Sequence, residues 1–253
     1  MTLGFLFLSI GIAAALLGLA AVLQSARAED TPLLQTSFGT VPYRIIHQDQ
    51  GENLSIIIGL HGFGIDERQM ETLVGIKPDF PHIYIAPRGF YQLEDKSYGW
   101  FPLTFENAAP VIKAGDLETA IKKLREVVDG LIHQVQADPE QVYLLGYSQG
   151  SSTALTYALA YPQTIKAAIA YNGYLTEEMK AFAPQAQSLP PVPVLYGHGT
   201  KDTLISKEQV QDTAMFLESL NYPVELKTYP APHVISAAGR QDIEAFLTKE
   251  NIL

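Results

Sequence analysis

Residues 144–152, LLGYSQGSS, set a serine between two glycines where an apolar run gives way to a helical one. The run ahead of it, QVYLLG, is rich in β-formers and short enough for one buried strand. The run behind it, SSTALTYALAYP, has helical character and stops at Pro162. A strand, a sharp turn and a helix therefore meet at Ser148. Gly146 and Gly150 match the G-x-S-x-G pattern, in which glycines leave room for a serine held on a strained turn. A hydroxyl at a helix N-terminus also stands where negative charge is favoured, as acyl transfer requires. The same five residues would equally make a glycine-rich turn with a capping serine, so the rest of the chain has to supply the partners.

A strand–turn–helix unit of this kind belongs in a parallel sheet, and the body of the chain alternates accordingly. LSIIIGL (54–60) and HIYIAP (82–87) read as buried strands, 41–47 as an opening edge strand, and the residues from Glu67 to Val74 as a helix between them. Residues 115–135 place Leu117, Ile121, Leu124, Val128 and Ile132 at helical spacing. KAAIAYNG, PVPVLYGHG and VELKTYP supply three further strands, and SKEQVQDTAMFLESL and SAAGRQDIEAFLTKE the last two helices. No linker, repeat or charge block interrupts this order. The expectation is a single α/β domain over residues 29–253, with a mostly parallel sheet and helices on both faces. Only 19 residues separate KAAIAY from PVPVLYG, too few for a large cap domain, so an open groove is expected. The stretch from Arg88 to Gly115 is long and carries Phe90, Tyr91, Tyr98, Trp100, Phe101 and Phe105. These rings either pack on the sheet edge or wall the site beside Ser148.

Composition removes several alternatives. A formal charge of -10 excludes a basic nucleic-acid surface. It also offers no attraction for anionic lipids. With no cysteine there is no disulfide scaffold, thiolate zinc site or cysteine nucleophile. Residues 3–23 are apolar and uncharged, and Ala26-Arg27-Ala28 fits the small-x-small cleavage pattern of a secretory signal. Residues 1–28 are thus either a cleaved signal peptide or a retained membrane tether through residues 3–23. Both readings put the body outside the cytoplasm, in the periplasm or secreted. Oligomeric state leaves no trace in the sequence.

A serine needs a base. His47 and His82 sit at the edges of early strands and His133 late in a helix, as packing or surface residues. His61 and His198 each precede a glycine just after a strand, where they shape loops. His233, in YPAPHVIS, follows the last strand and precedes the last helix, on the side where open α/β sheets assemble their sites. It is the expected base. Asp202, in the loop after PVPVLYG, is the expected acid and completes the chain order Ser, Asp, His. The backbone N–H groups of Gln149 and of Phe63, in LHGFG, are the expected oxyanion donors.

The blocks LHGFGIDERQM, LLGYSQGSSTAL, LYGHGTKDTLIS and PHVISAAGRQDIEAFL resemble the signature blocks of the phospholipase/carboxylesterase family, which includes acyl-protein thioesterases and small bacterial carboxylesterases. The resemblance runs from about Leu54 to Leu247. It implies an α/β-hydrolase fold and a triad at Ser148, Asp202 and His233. It also implies a small-molecule ester or thioester substrate, an acyl-enzyme intermediate, and no metal or cofactor. Trp100-Phe101 resembles the family's tryptophan–aromatic pair near the acyl site and is expected to bind substrate. The chain departs from the pattern at Pro232, where the family has glycine, and at Thr203 and Leu204, where it has proline and valine. Two rival readings stay open: a secreted peptidase or polyester depolymerase using the same triad, and an inactive hydrolase fold serving as a binding module.

Overall fold

In the computed structural model, residues 31–93, 96–106, 109–183 and 189–252 are described. The expected export segment, residues 1–28, lies outside them. Among the described residues no helix is long and apolar enough to cross a membrane. Leu33–Leu253 make up one compact unit.

Eight strands form the central sheet: β1 (Leu33–Thr36), β2 (Gly39–Gln48), β3 (Ser55–Leu60), β4 (His82–Pro87), β5 (Val142–Tyr147), β6 (Ala167–Tyr171), β7 (Val194–Gly199) and β8 (Val224–Tyr229). Their spatial order is β1-β2-β4-β3-β5-β6-β7-β8, with every pairing from β4 to β8 parallel and β1 and β2 antiparallel to their neighbours. The strand at 41–47 is therefore not the edge. Four residues, LLQT, add one more strand outside it, too short to show an alternation in sequence. Leu34 secures that strand by packing directly on Gly130, where a Cβ would crowd its methyl groups.

The inner strands β3 to β7 are buried at every position and mostly apolar because both faces are covered. Along β3, Ile56, Ile58 and Leu60 enter one core and Ile57 the other. Along β5, Val142 and Leu144 are divided in the same way from Tyr143, Leu145 and Tyr147. The first core is closed by helices α1 (Ala114–Val135), α2 (Gln149–Ala160) and α3 (Lys207–Ser219). The second is closed by α4 (Ala237–Ile252) together with Met70 and Val74. The helix expected over Glu67–Val74 is a 3-10 turn, Glu67–Gln69, followed by one α-turn, Met70–Leu73. Asp66 caps it through a capping box with Gln69, and Gly75, at φ +54°, ends it. All twelve residues of α2 are buried. Its threonine hydroxyls avoid a desolvation penalty by bonding back along the helix, Thr153 to the Gln149 carbonyl and Thr156 to the Ser152 carbonyl.

Between β4 and α1 the aromatic stretch folds into two short ribbons, Tyr91–Gln92 with Tyr98–Gly99 and Thr104–Glu106 with Ala109–Val111. They lie at the C-terminal edge of the parallel strands, the edge at which β3, β5, β7 and β8 release their loops.

Candidate active site

Ser148 follows the last residue of β5 and caps α2 at φ 55°, ψ −118°, a region that costs a non-glycine residue of order 1–3 kcal/mol. The surroundings hold it there. Its N–H donates to the Tyr171 carbonyl at 2.9 Å, and its carbonyl accepts from Ser151 and Ser152. A Cβ on Gly146 would run into the Gly150 backbone, and one on Gly150 into the Leu60 backbone. Both glycines of the motif are thus demanded by close approach, which lets β5 turn into α2 within three residues.

His233 Nε2 lies 3.0 Å from Ser148 Oγ, and His233 Nδ1 lies 2.6 Å from Asp202 Oδ2. The carboxylate side chain is fully buried. Its other oxygen, Oδ1, accepts the N–H groups of Leu204 at 2.8 Å and Ile205 at 3.0 Å. Burial pushes the Asp202 carboxyl up, but the Ile205 amide, the His233 ring and the Leu204 amide outweigh it and hold the group below its usual value. An ionised Asp202 places the proton of His233 on Nδ1 and turns the bare Nε2 toward the serine. Tyr147 steadies the ring from below: its hydroxyl donates to the His233 carbonyl at 2.7 Å, and burial, with Asp202 nearby, pushes that phenol up to about 12.

Two further buried groups stand against this arrangement, one of them, Asn172, passed over in the sequence reading. Asn172, buried at the end of β6 with φ 53°, donates from Nδ2 to the Val234 carbonyl and accepts the Gly199 N–H on Oδ1. One side chain thereby ties the loop carrying His233 to the loop carrying Asp202. His198, expected to shape a loop, is buried with its Nδ1 4.0 Å from Asp202 Oδ2 and without a hydrogen bond of its own. Burial lowers its pKa, against the pull of Asp202, so it remains neutral and leaves the carboxylate charge to His233. The only signal for Asn172 was an asparagine just past a strand, which tolerates positive φ.

The loop from His61 to Ile65 lies over the serine. Gly62 packs against Tyr147 and Ser148, so closely that a Cβ there would stand 3.3 Å from the serine Cβ. Among the described residues, neither the Phe63 nor the Gln149 N–H is spent on a protein acceptor. His61 clips the loop to the aromatic stretch: its Nε2 accepts the Gly89 N–H at 2.9 Å, which leaves Nδ1–H to donate to the Gly62 carbonyl at 2.7 Å. Burial holds His61 below the usual histidine value, in the neutral form this clip needs. Arg88 and the buried Glu67 close the clip from outside with two bonds of 2.6 and 2.8 Å.

Trp100 does not take the substrate-facing position expected of it. It is 1% exposed, its indole N–H donates to the His61 carbonyl at 2.8 Å, and its ring packs edge-on against Phe90. A buried indole N–H needs an acceptor, and the loop supplies one, so Trp100 props the loop from His61 to Ile65 from behind. Phe101, its neighbour, does line the cavity beside Ser148. Gln149 joins the two regions: its side-chain oxygen accepts the Trp100 N–H and its amide donates to the Phe101 carbonyl.

That cavity, about 620 Å³, is walled by Phe63, Phe101, Leu103, Ile112, Met179 and Ile205 and opens past Leu204, which is 71% exposed. Its lining is mostly apolar and includes Ser148, a composition that suits a hydrocarbon chain.

A sequence profile of the family described as Phospholipase/Carboxylesterase matches residues 42–251. Carboxylesterase SOBER1 of Arabidopsis thaliana is 28% identical over 154 residues, covering 59% of this chain and 67% of that protein. Acyl-protein thioesterase 1 of Kluyveromyces lactis is 26% identical over 213 residues, covering 77% of this chain and 91% of that protein. Against two further plant proteins, each named as a probable carboxylesterase, the match spans about half of the relative's length. Among solved structures, esterase PE8 superposes with a TM-score of 0.72 at 26% identity, covering 83% of this chain and 98% of that one.

Proposed function

The chain belongs to the phospholipase/carboxylesterase family of ester-cleaving serine hydrolases, and we propose that Ser148, His233 and Asp202 carry that reaction on small carboxylic esters and thioesters. His233 Nε2 takes the proton of Ser148 Oγ as the oxygen attacks the acyl carbon. The carbonyl oxygen becomes an anion, received by the free N–H groups of Phe63 and Gln149. His233, now protonated at both nitrogens and held by Asp202, gives its Nε2 proton to the departing alkoxide or thiolate. Water then enters, His233 takes one of its protons, and the hydroxide so formed attacks the acyl–serine bond. Collapse of the second anion releases the acid and returns the proton to Ser148.

The observation that carries the reading is the continuous chain of 3.0 and 2.6 Å contacts from Ser148 Oγ through His233 to a fully buried Asp202. A fluorophosphonate probe, which labels only an activated serine, tests it. The parent protein should be labelled and should turn over p-nitrophenyl esters, whereas Ser148→Ala should do neither. An unlabelled parent would make the chain an inactive binding module, and faster turnover of peptide anilides than of esters would make it a peptidase.

Residues 1–28 we assign to export, with the hydrolase domain outside the cytoplasm. The apolar run of 3–23 followed by Ala26-Arg27-Ala28 supports this. N-terminal sequencing from fractionated cells should find Glu29 first in a soluble exported form. Met1 retained in the membrane fraction would make the segment a tether, and Met1 in the soluble cytoplasm would remove export altogether.

A further inference from the structure

The N-terminal edge of the parallel strands, opposite the catalytic serine, carries a second cluster of histidine and aspartate. We propose that His47, Asp49 and His82 form a binding site for a zinc-class divalent transition-metal ion. Asp49 Oδ2 is its centre, with His47 Nε2 at 3.1 Å and His82 Nδ1 at 3.7 Å. One ligand atom from each residue can be chosen so that all three lie within 4.8 Å of one another. Around a tetrahedral ion with bonds of about 2.0–2.2 Å, neighbouring ligand atoms stand about 3.3–3.6 Å apart, so small side-chain shifts close the set.

An irregularity in the sheet brings the three together. Strands β2 and β4 pair in register from Tyr43↔Pro87 to Ile45↔Ile85, then one extra residue, Ile46, slips the pairing to His47↔Tyr84 and Gln48↔Ile83. The slip sets Asp49 opposite His82, where the Asp49 N–H donates to the His82 carbonyl and Asp49 Oδ2 accepts the His82 N–H at 3.0 Å. His47, two residues before Asp49, falls on the same face, and its ring lies 4.7 Å from that of His82. Without the bulge the aspartate would pass His82 by one residue and turn away. Bulges that re-aim side chains in this manner recur beside functional sites.

The chemistry of the set favours a borderline metal. Two imidazoles and one carboxylate suit zinc, nickel or copper, whereas magnesium and calcium prefer all-oxygen shells. Asp49 and His47 are partly exposed and His82 is buried, so the ion would be reached from solvent and backed by the sheet. The groove in front, about 650 Å³ and lined also by Asp79 and Lys77, has room for the waters that complete the shell. His82 Nδ1 now donates to the Phe80 carbonyl at 2.8 Å, while its Nε2 is buried without any partner. Coordination through Nδ1 displaces the proton shared with Phe80 and moves the ring's hydrogen to Nε2. In either form one buried ring nitrogen goes unpartnered, so binding sacrifices the Phe80 hydrogen bond and replaces the 3.1 Å contact between His47 Nε2 and Asp49 Oδ2. That points to micromolar affinity, below that of closed structural zinc sites.

Calorimetric titration of the full chain with zinc tests the proposal, with magnesium as the hard-ion control and His233→Ala to remove the catalytic histidine as a competing ligand. The expected result is one zinc per chain at micromolar affinity in both the parent and His233→Ala, and no magnesium binding. His47→Ala and Asp49→Asn should each weaken zinc at least tenfold. Both positions are partly exposed, and asparagine keeps an oxygen for the His82 N–H, so circular dichroism and ester turnover should show these variants folded. No binding at millimolar zinc would overturn the site, as would parent-like binding in both variants. Loss of zinc in His233→Ala would place the ion at the catalytic end instead.

Discussion

At the C-terminal edge of the sheet, Asp202 is fully buried, two amides occupy one of its oxygens, and His233 occupies the other. At the opposite edge Asp49 is 38% exposed, one backbone amide and one histidine share its Oδ2, and a second histidine stands within 4 Å. The residue types are the same and the spacings similar, yet the two ends suit different chemistry. A strained serine and a helix N-terminus converge on His233, so its free nitrogen meets a hydroxyl. At the other end, among the described residues, no hydroxyl is hydrogen-bonded to the cluster and the nitrogens converge on a carboxylate, a geometry that suits a cation. A histidine–aspartate contact is therefore not a catalytic signature by itself. The signature is what stands at the far nitrogen of the ring.

The sharpest way to break this contrast is to make one substitution at both ends. Asp202→Asn should lower kcat for a p-nitrophenyl ester by about four orders of magnitude, because an amide favours the wrong imidazole tautomer. Asp49→Asn should leave that rate within twofold and read out in zinc binding alone. Full activity in Asp202→Asn would dissolve the distinction.

Asn172 offers a milder break. Asn172→Ala frees the Val234 carbonyl and the Gly199 N–H together, letting the base and acid loops drift apart. Misplacement of a catalytic group by about 1 Å costs on the order of 10²-fold, so kcat should fall by that amount with KM nearly unchanged. A change in KM alone would show that the residue shapes the cavity instead.

The acyl cavity responds more weakly still. Leu103→Ala removes wall from the pocket while sparing the loops that hold Ser148. Each buried methylene contributes about 0.8 kcal/mol, so kcat/KM should fall about threefold to fourfold more for hexanoate than for acetate esters. An unchanged chain-length profile would place the acyl group elsewhere. Trp100→Ala is unsuited to this test, since losing a fully buried tryptophan costs about 3–5 kcal/mol of stability.

Acidity should bear unevenly on the molecule. His61 and His198 are held below the ordinary histidine value by burial, so near pH 6.5 the unfolded chain takes up protons that the folded chain refuses. Stability is then complete above about pH 6.5 and declines as pH falls below it. Asp202, whose folded value is depressed, adds a further loss only as pH falls through the carboxylate range. Urea midpoints measured from neutral to mildly acidic pH should show the first decline, and His61→Asn should flatten it. A midpoint that rises on acidification would contradict the sign.

Much of the architecture was legible in local pattern. Buried strands announced themselves as short apolar runs, α1 by its spacing of Leu117, Ile121 and Leu124, and the turn at Ser148 by glycines that close packing demands. His233 and Asp202 could be singled out because loops after parallel strands converge on one edge, a rule of topology that needs no coordinates. Periodicity and turn chemistry act over a few residues, and so a sequence by itself determines them. Partnerships between distant side chains do not act that way. That Trp100 faces the loop after β3, that Asn172 ties two loops, and that Ile46 slips the register to bring Asp49 opposite His82 follow from how β2, β4 and β6 sit against their neighbours. Only tertiary structure decided these. Each depends on where a side chain finds its partner once the sheet has closed, and the residues in question lie tens of positions apart along the chain.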